Sequence, residues 1–477
     1  MDQLFLYSFL TLPVIFTIIL IFHRFKSSSN TKSNLPPGSF GWPVIGETLA
    51  FMNQNHQDFI SQRMKKHSSK IFKTHVLGEP MVVLCGTSGH KFVASNEEKL
   101  FLAWRPQSMK KLFRSSYQKT TSSSPLPRKT ETQITKAPGF IKAEALVRYV
   151  GVMDSIVTQH MDLYWEGKNK VEAYNLSQIL VLTLACRFFL GLDDQSRIKK
   201  ITNLLDKMML ALHIIPVNFP GTTFYRAMRA ANDLREEVKL LIKEKKEALS
   251  RGVEPQDILS YLIVSTDPVS GEFSPEHVVA DKIMGLLAAA FNSPAMTTAF
   301  IVKFLAERPD ICDKVRSEQM EIASSKKVGE ALNWEDMQKM KYSWNVALEV
   351  MRLIPPLQGT FREAATDITY EGYTIPKGWK VYWTVSTTNM NPENFPEPQE
   401  FDPTRYDKGT PPPYTNIPFG SGPRICPGKD YARLQILTFM HHLVRRFKWD
   451  LVNPDFKVLG GLNPIPIEGF HVRLHSA

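Results

Sequence analysis

Cysteine is scarce. The 477 residues hold only Cys85, Cys186, Cys312 and Cys426, far apart along the chain. That spacing excludes a disulfide scaffold and a paired zinc motif, and it fits a reducing compartment. Acid is the minority charge: 47 Asp and Glu against 58 Lys and Arg leave a net +11. A field of that sign favours an acidic protein face, anionic lipid or nucleic acid as partner. No nucleic-acid motif or interleaved basic and aromatic stripe accompanies it, so no nucleic acid is expected. Internal repeats and long low-complexity linkers are missing too. The 43% apolar and 22% charged content excludes wholesale disorder and collagen-like structure.

Charge is also absent from the first long apolar run, Leu4 to Phe22 (LFLYSFLTLPVIFTIILIF), which is 19 residues long. As a helix it would rise roughly 28 Å, enough to cross a hydrocarbon core. The alternative is a cleaved signal peptide. Against that, the run is long, no basic stretch precedes it, and no small-x-small cleavage site follows. His23, Arg24, Lys26 and Lys32 come next, which by the positive-inside rule puts the remainder in the cytosol. The expected organisation is a membrane anchor over 1–26, a Ser/Asn tether and Leu35-Pro36-Pro37-Gly38 hinge over 27–38, and one large domain over 39–477.

That domain reads as mainly α with small β-sheets. Ile71 to Cys85 has two apolar runs around Gly78-Glu79-Pro80, a hairpin pattern, and Ile368 to Trp383 repeats it around Glu371-Gly372 and Pro376-Lys377-Gly378. Arg226 to Arg251 has helical spacing with Gly252 as its C-terminal cap. The stretch before it, His213 to Gly221 (HIIPVNFPG), is unusually apolar for a connector; it either packs on the core or meets membrane or a substrate entrance. Ser274-Pro275-Glu276 starts a longer helix that continues to about Ala306. It is apolar nearly all round from Ile283 to Phe291, as a core helix should be. Pro294, in its middle, removes one backbone donor, so a kink and a free acceptor are expected there.

Near the end stands Phe419-Gly420-Ser421-Gly422-Pro423-Arg424-Ile425-Cys426-Pro427-Gly428, followed by an apolar helical run. Cys426 therefore sits at or just before a helix N-terminus. Unpaired N–H groups and the dipole's positive end favour a thiolate there. The glycines and proline make a tight loop that can approach a flat ligand, and Arg424 places a cation two residues away. Chemistry alone leaves two uses for such a cysteine, nucleophile or metal ligand.

Phe419, Gly422, Arg424, Cys426 and Gly428 meet every defined position of F-x-x-G-x-R-x-C-x-G. The segment thereby resembles the haem-binding loop of the cytochrome P450 family. Glu349-Val350-Met351-Arg352 is similar to that family's E-x-x-R, and Phe401 to Tyr406 (FDPTRY) to its Pro/Arg segment. The resemblance implies the cytochrome P450 fold, haem b as cofactor, Cys426 as axial thiolate, and Phe419, Gly420 and Gly428 around the ring. It implies haem-propionate contacts from Arg424 and Arg362, and a structural cluster of Glu349, Arg352 and Arg405. It further implies pocket walls from Leu286, Leu287, Ala290, Phe291, Leu357 and Ile465. Leu35–Leu49, Glu318–Ala323, Phe361–Asp367, Ile375–Trp379 and Phe439–Trp449 resemble the plant triterpenoid oxidases of the β-amyrin 28-oxidase group.

Two departures stand out. Where the family has an acid and a threonine on the long helix, this chain has Asn292 and Ser293. An amide cannot ionise but can hold a water, so Asn292 and Ser293 are read as catalytic groups working through water. Between Phe113 and Lys142 the family's Trp-x-x-x-Arg is missing, and Gln435 stands where relatives often have Glu. The resemblance implies a single-pass protein of the endoplasmic reticulum membrane, its catalytic domain facing the cytosol. It would oxidise a C–H bond of a pentacyclic triterpenoid of oleanane or ursane type with O2. Electrons would come from NADPH through NADPH–cytochrome P450 reductase, with lipophilic substrate and membrane lipid as the other partners. The alternatives are another cyclic terpenoid or sterol as substrate, or a haem protein that binds lipid without oxidising it.

Overall fold

The computed structural model describes residues 34–43, 45–113, 146–265, 275–407, 409, 411–454, 458–459, 462–466 and 469–476. The expected membrane span over 4–22 and most of the segment lacking Trp-x-x-x-Arg lie outside them. The described residues form two compact units. One runs up to Arg105 and adds Gln358–Thr388; the other is Pro106–Leu357 with Asn389 onward.

The smaller unit is built on a five-stranded sheet in the order Ile71–Val76, Glu79–Leu84, Lys380–Thr384, Gly359–Ala364, Phe101–Ala103. Its first hairpin turns at Leu77-Gly78, both at positive φ (56° and 79°). That is one residue earlier than the Gly/Pro signal, because Pro80 sits within the second strand, opposite His75. Ile368–Tyr370 and Tyr373–Ile375 form a separate hairpin around Glu371-Gly372. Trp42, Ile45 and Leu49 are exposed near the start of this unit.

The larger unit is helical. Thr223–Ser250 is capped by the Thr222 side chain, which accepts from the Tyr225 N–H, and Gly252 follows its end at φ 88°. The 32-residue helix Glu276–Glu307 runs unbroken through Pro294. It begins one residue later than the Ser-Pro signal suggested, because Pro275 stays extended and its carbonyl accepts from Val278 and Val279. Helix Ala173–Ala185 packs along it and continues into a π-helical turn, Cys186–Leu190. The apolar connector packs Ile214 against the core and exposes Ile215, Val217 and Phe219.

Two of the described helices, Ala173–Leu190 and Glu276–Glu307, are apolar and long enough to cross a membrane, but both are mostly buried within the protein. The long helix is a core element with one open stripe. Ile283, Met284, Leu287 and Phe291 are fully buried, whereas Leu286, Ala289, Ala290 and Ser293 keep exposure. At 100° per residue those four share one face.

Candidate haem-thiolate site

The cysteine loop is closed by its own backbone. The Cys426 N–H donates to the Phe419 carbonyl at 2.8 Å, and Gly420 N–H to Ile417 at 2.9 Å. Gly420 and Gly422 adopt φ of 74° and 71°, conformations that side chains with a Cβ disfavour. Helix Lys429–Arg446 starts three residues after the sulfur, with Gly428 at its cap. Pro427 therefore lies outside the helix rather than in its first turn. Cys426 is the exposed member of the four cysteines; Cys85, Cys186 and Cys312 are buried. Protein walls around its Sγ push the thiol pKa up, while the hydrogen bond from Gly428 N–H pulls it down. Helix-terminus acidification therefore does not prevail in the chain by itself, since desolvation disfavours the bare thiolate.

Gly428 lies beside the sulfur: a Cβ built there would stand 3.9 Å from Cys426 Sγ, an ordinary contact. Phe419 stacks on Trp344 at 6.2 Å between centroids, and the Arg433 guanidinium lies 5.4 Å from the other ring of that pair, Trp344. Gln435, one turn beyond Tyr431 on the same helix, is buried with both amide atoms lacking a protein partner among the described residues. Among the described residues no cluster of three or more His, Cys, Asp or Glu side chains is placed to hold a metal ion. An exposed sulfur on a glycine loop that brings backbone close would suit a flat group held through that one sulfur.

A buried charged cluster lies in the same unit. Arg352 donates to Glu349 through Nε and Nη2, each at 2.8 Å, and both side chains are fully buried. Arg405 Nε reaches the same carboxylate at 3.2 Å, as do the Asp402 N–H at 3.0 Å and the Tyr406 hydroxyl at 3.2 Å. Arg352 also donates to the carbonyls of Asn389, Pro398 and Glu400. Asn416 donates to the Tyr406 oxygen at 3.0 Å. The cluster is thus linked to a residue three positions before Phe419.

The other sequence-derived residues fall in different places. Leu286 and Ala290 lie on the open stripe of the long helix with Ser293, whereas Leu287 and Phe291 face the core. Asn292, at the edge of that stripe, is buried and accepts from the Tyr174 hydroxyl at 3.0 Å. Leu357 is exposed; Ile465 pairs with Leu459 in a short hairpin, close in sequence to Asn463, whose amide donates to the Pro356 carbonyl. Arg362 belongs to the smaller unit. Its Nε and Nη2 contact Glu97 Oε1 at 2.6 Å, and Nη1 donates to the Thr360 hydroxyl and the Phe361 carbonyl. A propionate would have to share or displace Glu97. Sequence reasoning missed Glu97 and Tyr174, which lie 265 and 118 positions from their partners.

Residues 36–459 match the family model Cytochrome P450. The chain belongs to the cytochrome P450 family. Beta-amyrin 28-monooxygenase from Kalopanax septemlobus is 46% identical over 99% of both chains. The protein of that name from Vitis vinifera is 46% identical over 99% of this chain and 98% of its own. Among solved structures, the retinoic acid bound cyanobacterial CYP120A1 is similar with a TM-score of 0.83 at 28% identity, covering 94% of this chain and all of its own. The cytochrome P450 fold assigned to this chain therefore rests on both sequence and structure. As a cytochrome P450 monooxygenase it uses haem, with electrons from NADPH through a reductase, and acts on a lipophilic substrate.

Proposed function

We propose that this cytochrome P450 oxidises a C–H bond of a pentacyclic triterpenoid, with β-amyrin and its carbon 28 the first substrate and position to test. The likeness to beta-amyrin 28-monooxygenases over nearly the whole of both chains carries this reading. Cys426, the exposed cysteine, would hold the haem through its sulfur. Bound there, the haem supplies one-electron and O2 chemistry, which a thiolate ligand favours by donating electron density. A metal-bound cysteine sulfur would be held as the thiolate.

Arg424 would hold a haem carboxylate with its planar, two-pronged guanidinium. Arg362 can do so only by sharing its donors with Glu97. Phe419 and Gly420 shape the loop around the ring. Leu286 and Ala290 offer an apolar wall that excludes water, with Leu357 and Ile465 beyond it. Ser293 holds a hydroxyl donor and acceptor on that wall, and Asn292 a carboxamide at its edge. Neither ionises in the physiological range, so proton movement there runs through ordered water. The Glu349–Arg352–Arg405 cluster is structural and fixes the backbone before the loop.

The domain limits and location follow the same reading. Residues 1–26 anchor the protein in the endoplasmic reticulum membrane, 27–38 tether it, and 39–477 face the cytosol, where exposed Ile215, Val217 and Phe219 suit a lipid surface. NADPH–cytochrome P450 reductase docks through its acidic face. Co-expression with the reductase in yeast that makes β-amyrin, followed by mass spectrometry, tests the substrate. An added oxygen is the expected product; a haem-loaded protein that leaves β-amyrin and related skeletons untouched would refute it.

A further inference from the structure

The departure at position 292 has a partner on another helix. Tyr174, in the first turn of Ala173–Ala185, is buried and donates its hydroxyl to Asn292 Oδ1 at 3.0 Å. Among the described residues the Asn292 side chain makes this one hydrogen bond. A carboxamide is nearly symmetric in shape but not in polarity: one end accepts, the other donates. In the arrangement seen here the phenol donates to the oxygen, and Nδ2 is the end that faces away from it.

The tyrosine keeps the proton it donates. Burial first, then the nearby charges of Asp206 and Glu172, push its pKa far up, so it remains protonated throughout the physiological range. Asp206 has its own donor, the Gln178 amide at 3.0 Å. Ser177 Oγ, on the same helix, donates to the Ala173 carbonyl, so neither side chain competes for Asn292.

We propose that Tyr174 is a positioning residue for Asn292, fixing the amide so that a neutral N–H donor, rather than an acceptor, stands at the edge of the open stripe beside Ser293. The idea rests on the reading of Asn292 and Ser293 as lining the substrate wall. A site that elsewhere in the family presents an ionisable acid here presents a donor of set polarity, independent of pH. Its predicted use is to order a water or a substrate hydroxyl next to Ser293.

The test uses haem-loaded wild type, Tyr174→Phe, Asn292→Ala and the double variant, each with reductase. Two quantities are read: product formed per NADPH consumed, and the spin-state balance in the ferric absorption spectrum. Loss of one neutral hydrogen bond should lower the product ratio about 2- to 10-fold in Tyr174→Phe. The spin balance should move in Tyr174→Phe, and the double variant should match Asn292→Ala in both readouts, since there is no amide left to orient. A Tyr174→Phe protein indistinguishable from wild type overturns the proposal. So does a double variant whose losses multiply, because Tyr174 would then act without Asn292. If the wild type gives no product from β-amyrin, the substrate reading fails, and the spectra of the four proteins still decide the role of Tyr174.

Discussion

Replacing Glu349 by alanine is the sharpest perturbation of the buried charged cluster. The carboxylate is fully buried and receives two bonds from Arg352, one from Arg405, one from the Asp402 N–H and one from Tyr406. Alanine leaves Arg352, itself fully buried, as a charge without counter-ion. Removing one partner of a buried ion pair costs about 3–5 kcal/mol. A domain's whole margin is about 5–15 kcal/mol, so a large share of the folded population at growth temperature is at stake.

Glutamine at the same position keeps one oxygen for a hydrogen bond but loses the charge. Its cost should be smaller, about 1–3 kcal/mol. Arg405→Ala should cost least, because Arg405 is less buried and Glu349 keeps Arg352. Urea unfolding followed by circular dichroism, with an unchanged m-value, gives the comparison. The order Ala, then Gln, then Arg405→Ala is the expected result at positions 349 and 405. A Glu349→Ala protein within about 1 kcal/mol of wild type would refute the argument, since no burial of unpaired charge could be that cheap.

Other outcomes follow from single distances. Gly428→Ala should keep haem, because its Cβ meets Cys426 Sγ at 3.9 Å, an ordinary contact. Gly428→Leu should cover the sulfur and lose haem while remaining folded; equal haem content in the two variants would contradict this. His160 accepts from the Trp165 indole N–H, and burial lowers its pKa to about 3 from an ordinary 6.5. Between those values the unfolded chain binds more protons, so stability rises with pH and is lost as pH falls through this window. His160→Gln keeps an acceptor and should remove a slope of about 1.4 kcal/mol per pH unit near pH 5 from the unfolding free energy. An unchanged slope would mean that His160 is not buried neutral. Tyr406→Phe should loosen the link between Glu349 and Asn416 and lower haem retention, measured by pigment remaining after gel filtration.

The parts of this site that were legible in sequence are local. The cysteine loop is ten consecutive residues whose glycines and proline dictate a tight backbone, and E-x-x-R sets its pair one helical turn apart. Arg405 was legible only through its Pro/Arg segment, since it meets Glu349 from 56 positions away. The long core helix declared itself by being apolar all round, but which face stays open did not. Leu287 and Phe291, read as pocket walls, turn to the core, because 100° per residue separates them from Leu286 and Ala290. Glu97 and Tyr174 could not be read at all. A buried carboxylate or phenol finds its partner through tertiary packing, and nothing in their neighbours' sequence signals it. The balance at Cys426 was not legible either: burial raises its thiol pKa while the Gly428 N–H lowers it, and the burial comes from tertiary packing.

The central claim is that the Cys426 sulfur carries the haem. The carbon-monoxide difference spectrum of reduced Cys426→Ala, against wild type expressed with added haem precursor, tests it directly. The account predicts the thiolate-type absorbance in wild type and its complete absence in the variant. Retention of that band in Cys426→Ala, or a colourless wild type, would contradict it.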